Sequence, residues 1–380
     1  MEIYFDNAAT TSVYGEVKEL MVKLMEEEYG NPSSLHMKGI AAENYIKEAR
    51  AELAKLLKCQ EKEIVFTSGG TESNNMALIG AAMAKRRAGK HIITTKVEHA
   101  SVLSTVEFLG KEGFDISYVG VDKSGKVDRE ELKALLREDT ILVSVMYVNN
   151  ETGAVQHIDE ISKLIKEYNK DILFHVDGVQ AFGKYKISPK QLGVDLFSIS
   201  GHKIHGPKGS GMLYIRDGVL IRPIIYGGGQ QKGMRSGTEN VPAIAGLGLA
   251  ARLVYQSFDE KIRHVRELKE SFIDKVTKLE NVFSNSGEAP HIASISIVGI
   301  RAEVFLHALE EKGIYVSAGS ACSSNKPHVS NVLSAMELPK EYLESTLRFS
   351  FSEFNTMEEV DYTVKIFEEL LGTLRRYVRK

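Results

Sequence analysis

"EIVFTSGGTESNNMALIGAAMAK", residues 63–85, changes character partway. Its first six residues are rich in β-branched and aromatic side chains, which favour a strand. Gly69, Gly70 and Thr71 then break the run, and the remainder reads as a loop opening into a helix. Working outward, the same unit recurs. "HIITT" (91–95) is followed by the helical "KVEHASVLSTVEFLG", and "FDISYVGVD", "TILVSVMYV", "ILFHVD", "DLFSIS" and "GMLYI" continue the series to about residue 225. Apolar strands separated by helices predict an α/β fold with a mostly parallel sheet covered by helices. In such sheets ligands bind beyond the carboxyl ends of the strands.

With 380 residues the chain is long for one core and suits a large domain with a smaller one. A helical pattern over 243–279 predicts the passage between them. Beyond it, "IASISIVG", "IYVSAGSAC" and "TLRFSFS" read as strands, with helices over 301–312 and 356–378, a small α+β unit. The expected division is 16–255 for the large cofactor-binding domain, with 1–15 and 256–380 forming the small one. The chain is 43% hydrophobic and 26% charged with net charge −3, which gives no electrostatic footprint for nucleic acid or an anionic membrane. No apolar run is long enough to span a bilayer, and "MEIYFDNAATT" lacks signal-peptide character. Two cysteines, Cys59 and Cys322, exclude a disulfide scaffold and a zinc-ligand spacing, and point to a reducing cytoplasm.

The strand ends carry the chemistry. Gly70 and Thr71, at a helix start, suit either a plain cap or a phosphate held by backbone N–H groups. His99, at the next helix start, faces solvent, or lies over an aromatic ligand or moves protons. Asn149 and Asn150 read first as turn formers, and alternatively as ligand hydrogen-bonders. Asp177, closing an apolar strand ahead of Gln180, is a helix cap or the partner of a buried cation. Lys203, after "LFSIS", is a surface lysine or a Schiff-base nucleophile. Taken together, an anion cradle, an aspartate for a pyridine nitrogen and a lysine at strand ends of one sheet are what pyridoxal phosphate requires. Cys322 lies among small and polar residues, which suits a small buried residue and a reactive thiol equally. Cys59, near a helix end, reads as structural.

The chain resembles the cysteine desulfurases of the NifS/IscS type, fold-type I pyridoxal-phosphate enzymes. The resemblance runs nearly end to end. It is carried by "YFDNAATT" (4–11), "YGNPSSLH" (29–36), "FTSGGTESNN" (66–75), "EHAS" (98–101), "VNNETG" (148–153), "HVDGVQ" (175–180), "SGHKIHGPKG" (200–209), "GGGQQKGMRSGTEN" (227–240), "GSACSS" (319–324) and "LRFSF" (347–351).

The resemblance implies a role for each matching position. Lys203 would hold the cofactor covalently and act as base, and Asp177 would keep the pyridine nitrogen protonated. Gln180 would bond the phenolic oxygen, and His99 would stack on the ring and shuttle protons as a catalytic residue. Gly70, Thr71, Ser200 and His202 would form the phosphate site. Thr238 would reach the phosphate of a neighbouring subunit, making the protein a homodimer. Arg348, which alone reads as an ordinary surface charge, would bind the substrate carboxylate with Asn31 and Asn150. Cys322 would take sulfur from L-cysteine as a persulfide and pass it to acceptor proteins such as an iron–sulfur scaffold, or toward tRNA thiolation. The chain stops soon after "LRRYVRK", so a longer tail used for scaffold docking is expected to be absent. Selenocysteine lyase shares this cofactor chemistry, and a non-catalytic scaffold would share only the fold. The joint presence of Lys203, Asp177 and Cys322 argues against the scaffold.

Overall fold

The computed structural model describes residues 2–318 and 330–378. The chain opens with strand β1 (Ile3–Tyr4) and helices α1 (Gly15–Glu26) and α2 (Met37–Leu57). Then come β2 (Ile64–Thr67), α3 (Gly70–Lys85), β3 (His91–Thr95), α4 (Ala100–Lys111), β4 (Asp115–Val119), α5 (Arg129–Leu135), β5 (Thr140–Met146) and α6 (Ile158–Tyr168). Strands β6 (Leu173–Asp177), β7 (Leu196–Ser200) and β8 (Gly211–Ile215) complete a seven-stranded sheet of order β2-β8-β7-β6-β5-β3-β4. Strands β3 to β7 pair in parallel. β8 runs antiparallel to both of its neighbours, β2 and β7. That double reversal leaves β2 pointing the same way as β3 to β7. The residues after β2, β3, β5, β6 and β7 therefore emerge on one edge of the sheet.

Continuous apolar strands follow from burial on both faces. Successive residues alternate between two layers. Leu142, Leu173, Leu196 and Leu213 pack with Met76, Leu78, Val102 and Val106 of α3 and α4. Val143, Phe174, Phe197 and Met212 pack on the opposite face with Leu53, Ile161, Ile165, Leu247 and Ala250.

The helical pattern read over 243–279 is two helices, not one. Helix α7 (Val241–Tyr255) and α8 (Phe258–Val276) meet at a 77° bend. Gln256 leaves the helical region (ψ 130°), and Ser257 follows in the left-handed region (φ 52°) before the second helix begins. β9 (Val282–Ser284), β10 (Ile292–Ile297), α9 (Ala302–Glu310), β11 (Ile314–Tyr315) and β12 (Ser317–Ala318) follow. The single run expected in "IYVSAGSAC" is thus two short strands over its described part. Two short helices, α10 (Asn331–Ala335) and α11 (Lys340–Leu343), then β13 (Thr346–Ser350) and α12 (Met357–Val378) finish the chain.

Strands β12, β13, β10 and β9 form an antiparallel sheet in that order, while β1 pairs with β11. A separate apolar cluster joins Ile3 and Phe5 to Phe272, Phe305, Phe349 and Phe367. Phe272 and Phe349 lie 4.6 Å apart, and Phe305 and Phe367 4.8 Å apart, by ring centroids. In β13, Leu347 and Phe349 enter this cluster. Arg348, between them, points to the other side of the sheet. Among the described residues no single helix is long and apolar enough to cross a membrane.

Candidate active site

A cavity of about 280 Å³ opens on the edge where the strands end. Gly70, Thr71, His99, Asn150, Asp177 and Gln180 line it, with Ser200, His202, Lys203 and Arg348. Asn31 and Thr238 do not. Both are exposed, and Asn31 Oδ1 accepts the Ser33 N–H at 2.9 Å in a local turn. Cys322 lies outside the described residues.

The floor begins at the turn after β2. Gly69 holds φ 154°, a conformation L side chains rarely adopt, and helix α3 starts there without a side-chain cap. A Cβ on Gly70 would come within 2.7 Å of Val179. Bare backbone N–H groups at a helix start, with the Thr71 and Ser200 hydroxyls beside them, could hold an anion. His202 flanks them, and its Nδ1 lies 3.2 Å from Thr10 Oγ1. Burial first, then the nearby Lys203 and Lys208, lower the His202 pKa to about 4, so it meets an anion as a neutral donor.

His99 is the N-cap of α4, where its Nδ1 accepts the Ser101 N–H at 3.1 Å. Burial and then Lys203 push its pKa down, against the opposing pull of Asp177. The turn reading holds for Asn149, whose Oδ1 accepts from the N–H groups of Glu151 and Thr152, both at 2.9 Å. Its neighbour Asn150 faces the cavity instead.

Asp177 is only 5% exposed. Its Oδ2 accepts from Asn74 Nδ2 at 2.7 Å and its Oδ1 from the Val179 N–H at 3.0 Å. A turn, not a helix, follows β6, so a helix-capping role for Asp177 does not apply. Gln180 Nε2 donates to Ala8 O at 2.9 Å, which leaves its second amide hydrogen for the cavity.

Lys203 closes a single 3₁₀ turn directly after β7. Its Nζ donates to Ala8 O at 2.6 Å and Ala9 O at 2.7 Å. Those carbonyls belong to an N-terminal strap, residues 6–11, that Thr11 pins to the lysine turn through its N–H to His202 O at 2.9 Å. Arg348 is no surface charge, being 5% exposed. Its Nη1 donates to Asn150 O and its Nη2 to Asp6 Oδ1, both at 2.8 Å.

Several residues of the site escaped the sequence reading. Asn74 and Ser101 line the cavity and Asp6 anchors Arg348. Glu98 lies buried, its Oε1 accepting from Thr95 Oγ1 and the Met146 N–H, both at 2.8 Å. For Asn74 a signal existed, since it lies four residues after Gly70 and shares its helix face. The donor set fits pyridoxal phosphate: an anion cradle, a buried carboxylate for a protonated ring nitrogen, and a lysine between them.

The aminotransferase class-V family profile matches residues 3–363. A cysteine desulfurase IscS of Dictyoglomus turgidum is 46% identical over 98% of this chain and 95% of its own length. A solved NifS-like protein superposes with a TM-score of 0.93 at 41% identity, covering 98% of this chain and 100% of the other. A structure of SspA in complex with cysteine gives a TM-score of 0.82 at 34% identity, over 94% and 100% of the two chains.

Proposed function

The chain belongs to the class-V aminotransferase family, and on that premise we propose that it is a pyridoxal-phosphate-dependent cysteine desulfurase, converting L-cysteine to L-alanine with sulfur retained on the protein. The observation that carries the reading is the meeting of the anion cradle, Asp177 and Lys203 in one cavity. Bound there, pyridoxal phosphate supplies an electron sink for the pair left on a substrate carbon. Gly70, Thr71, Ser200 and His202 would hold its phosphate, Asp177 its ring nitrogen and Gln180 its phenolic oxygen. Lys203 would carry it covalently and, once released, accept the Cα proton at Nζ. The buried Arg348 guanidinium presents a planar donor fork suited to the substrate carboxylate, beside Asn150. The strap carbonyls of Ala8 and Ala9 orient the lysine.

Cys322 would attack the sulfur of L-cysteine as a thiolate. A bond forms between the two sulfurs, the carbon–sulfur bond breaks with its pair moving to carbon, and a proton there completes alanine. One L-cysteine and one thiol thus give one alanine and one persulfide, which passes to a sulfur acceptor such as an iron–sulfur scaffold. Cys59 has no such part: burial, then Glu63, push its thiol up to about 12.

The remaining assignments are part of the same proposal. Asn31 would assist the substrate carboxylate, and Thr238 would serve the partner subunit's phosphate site in a cytoplasmic homodimer. The exposure of both residues is compatible with completion by a second copy. The division into 16–255 and 1–15 with 256–380 draws support from the separate apolar cluster that joins Ile3 and Phe5 to the C-terminal elements.

The test is incubation with L-cysteine, with alanine and protein-bound sulfur measured together. Equal yields in the first turnover, with the added sulfur mass on the Cys322 peptide and lost in Cys322→Ser, are expected. Sulfur on Cys59, or normal alanine release by Cys322→Ser, would overturn the reading.

A further inference from the structure

Four side chains run in series beneath the cavity. Asn74 Nδ2 donates to Asp177 Oδ2 at 2.7 Å and to Ser101 Oγ at 2.9 Å. Ser101 Oγ lies 2.9 Å from His99 Nδ1, and the Ser101 backbone N–H donates to the same ring nitrogen at 3.1 Å. Asn74 and Ser101 are both buried.

The direction of every bond in this series is fixed by its two ends. An ionised carboxylate only accepts, so Asn74 must turn its NH₂ toward Asp177. Its two hydrogens then serve Asp177 and Ser101 Oγ. Ser101, having accepted one hydrogen, has its own left for His99 Nδ1. At the far end a backbone N–H only donates, so His99 Nδ1 must present a lone pair and the ring hydrogen sits on Nε2. Asn74 Oδ1 remains buried without a partner among the described residues. Reversing the amide would satisfy that oxygen only by setting two acceptors face to face at Asp177.

We propose that Asn74 and Ser101 are positioning residues that couple the ionised state of Asp177 to a neutral, Nε2-protonated His99. Asp177, which would meet the ring nitrogen, and His99, which would stack on the ring, are thereby set together. Placing a proton on Nδ1 would require breaking two hydrogen bonds and reversing the series. The effect on turnover rests on the desulfurase reading, whereas the protonation state of His99 is a property of the chain. The charged and titratable groups around His99 are Asp177 after β6, Lys203 after β7, His202 beside it, Arg348 on β13 and Glu98 one residue before it. Burial and Lys203 oppose a positive charge on His99, and Asp177 favours one.

The test follows the histidines of the full-length protein as purified by imidazole ¹⁵N NMR across pH, with the His99 signals assigned from His99→Gln. Wild type should show the Nε2–H tautomer. In Ser101→Ala the proton affinity of His99 should rise about three- to tenfold, because the acceptor nitrogen loses its hydroxyl partner, and in Asn74→Leu it should rise as well, because Asp177 loses a donor and its charge bears more strongly on His99. The kcat for alanine release should fall about tenfold with KM little changed, the loss expected for one hydrogen bond in a charged series. Ser101→Thr, which keeps the hydroxyl, should restore both. An Nδ1–H tautomer in wild type, or an unaltered His99 titration in a folded variant, overturns the proposal. If Asn74→Leu does not fold, Ser101→Ala decides alone. A wild-type protein that shows the expected His99 signals but releases no alanine refutes the desulfurase reading and leaves this inference standing.

Discussion

Lys203 and Arg348 are two cations that enter one cavity from different sheets. Lys203 follows β7 by three residues, so the sheet's own chain path delivers it to the edge where ligands bind. Arg348 sits inside β13, on the face turned away from the phenylalanine cluster, and reaches the cavity where that face meets Asn150 after β5 and Asp6 of the strap. Their anchors differ as well. Carbonyl oxygens of Ala8 and Ala9 accept from Lys203, contacts an amine can leave to make a covalent bond. Arg348 is paired with the Asp6 carboxylate and Asn150 O, which fix a permanent charge in one orientation. In the proposed reading one cation reacts and the other recognises. The N-terminal strap touches both, and so holds the two sheets' contributions in register.

The sharpest break of that contrast is Lys203→Ala. It should lower kcat for alanine release by about 10⁴-fold, since it removes both anchor and base. Release near the wild-type rate would contradict the reactive role. Asp177→Ala should lower kcat by about 10²–10³-fold, the size seen when one preorganised electrostatic partner is lost. It should weaken substrate binding far less, and a change confined to KM would move Asp177 to the recognition side. Arg348→Lys keeps the charge but loses the planar fork. KM for L-cysteine should rise about tenfold with kcat nearly kept, and a fall in kcat alone would erase the distinction between the two cations.

The smallest effect concerns Glu98, behind the reactive arc. Burial raises its pKa from 4.5 to about 8, with Asp177 adding to the rise. A carboxyl with a raised folded-state value contributes stability that is complete below its unfolded value. That contribution declines as pH climbs from about 4.5 through about 8. Glu98→Gln cannot ionise, so its urea midpoint should fall less than wild type between pH 5 and 9. Parallel curves would show that Glu98 is not held neutral.

The reactive arc was legible in the sequence because chain order and strand direction suffice to place it. Gly70, His99, Asp177 and Lys203 each follow an apolar run, and a parallel sheet sends those ends to one edge. The recognition side was not legible from the residues alone. In "TLRFS" the alternation puts Arg348 opposite Leu347 and Phe349, but nothing local says that Asn150 and the N-terminal strap meet it on that face. Of the residues that the resemblance assigns to the substrate carboxylate or the partner's phosphate, Arg348 and Asn150 line the cavity, while Asn31 and Thr238 lie on the exposed surface of this chain. The carbonyls of Ala8 and Ala9 have no chemical signature, because peptide carbonyls are common to every residue, and nothing near Asp6 in the sequence points to a partner 342 residues away. The break between α7 and α8 was missed because Gln256 and Ser257 carry no glycine or proline to announce it.

Every role assigned to the cavity depends on the strand-end arc presenting Lys203 to pyridoxal phosphate. The most direct test is borohydride reduction of the purified holoprotein, followed by peptide mapping by mass spectrometry. The yellow absorbance should bleach, and one pyridoxyl phosphate mass should appear on Lys203. The label on Lys208 or another lysine, or a protein that takes up no cofactor at all, would contradict it.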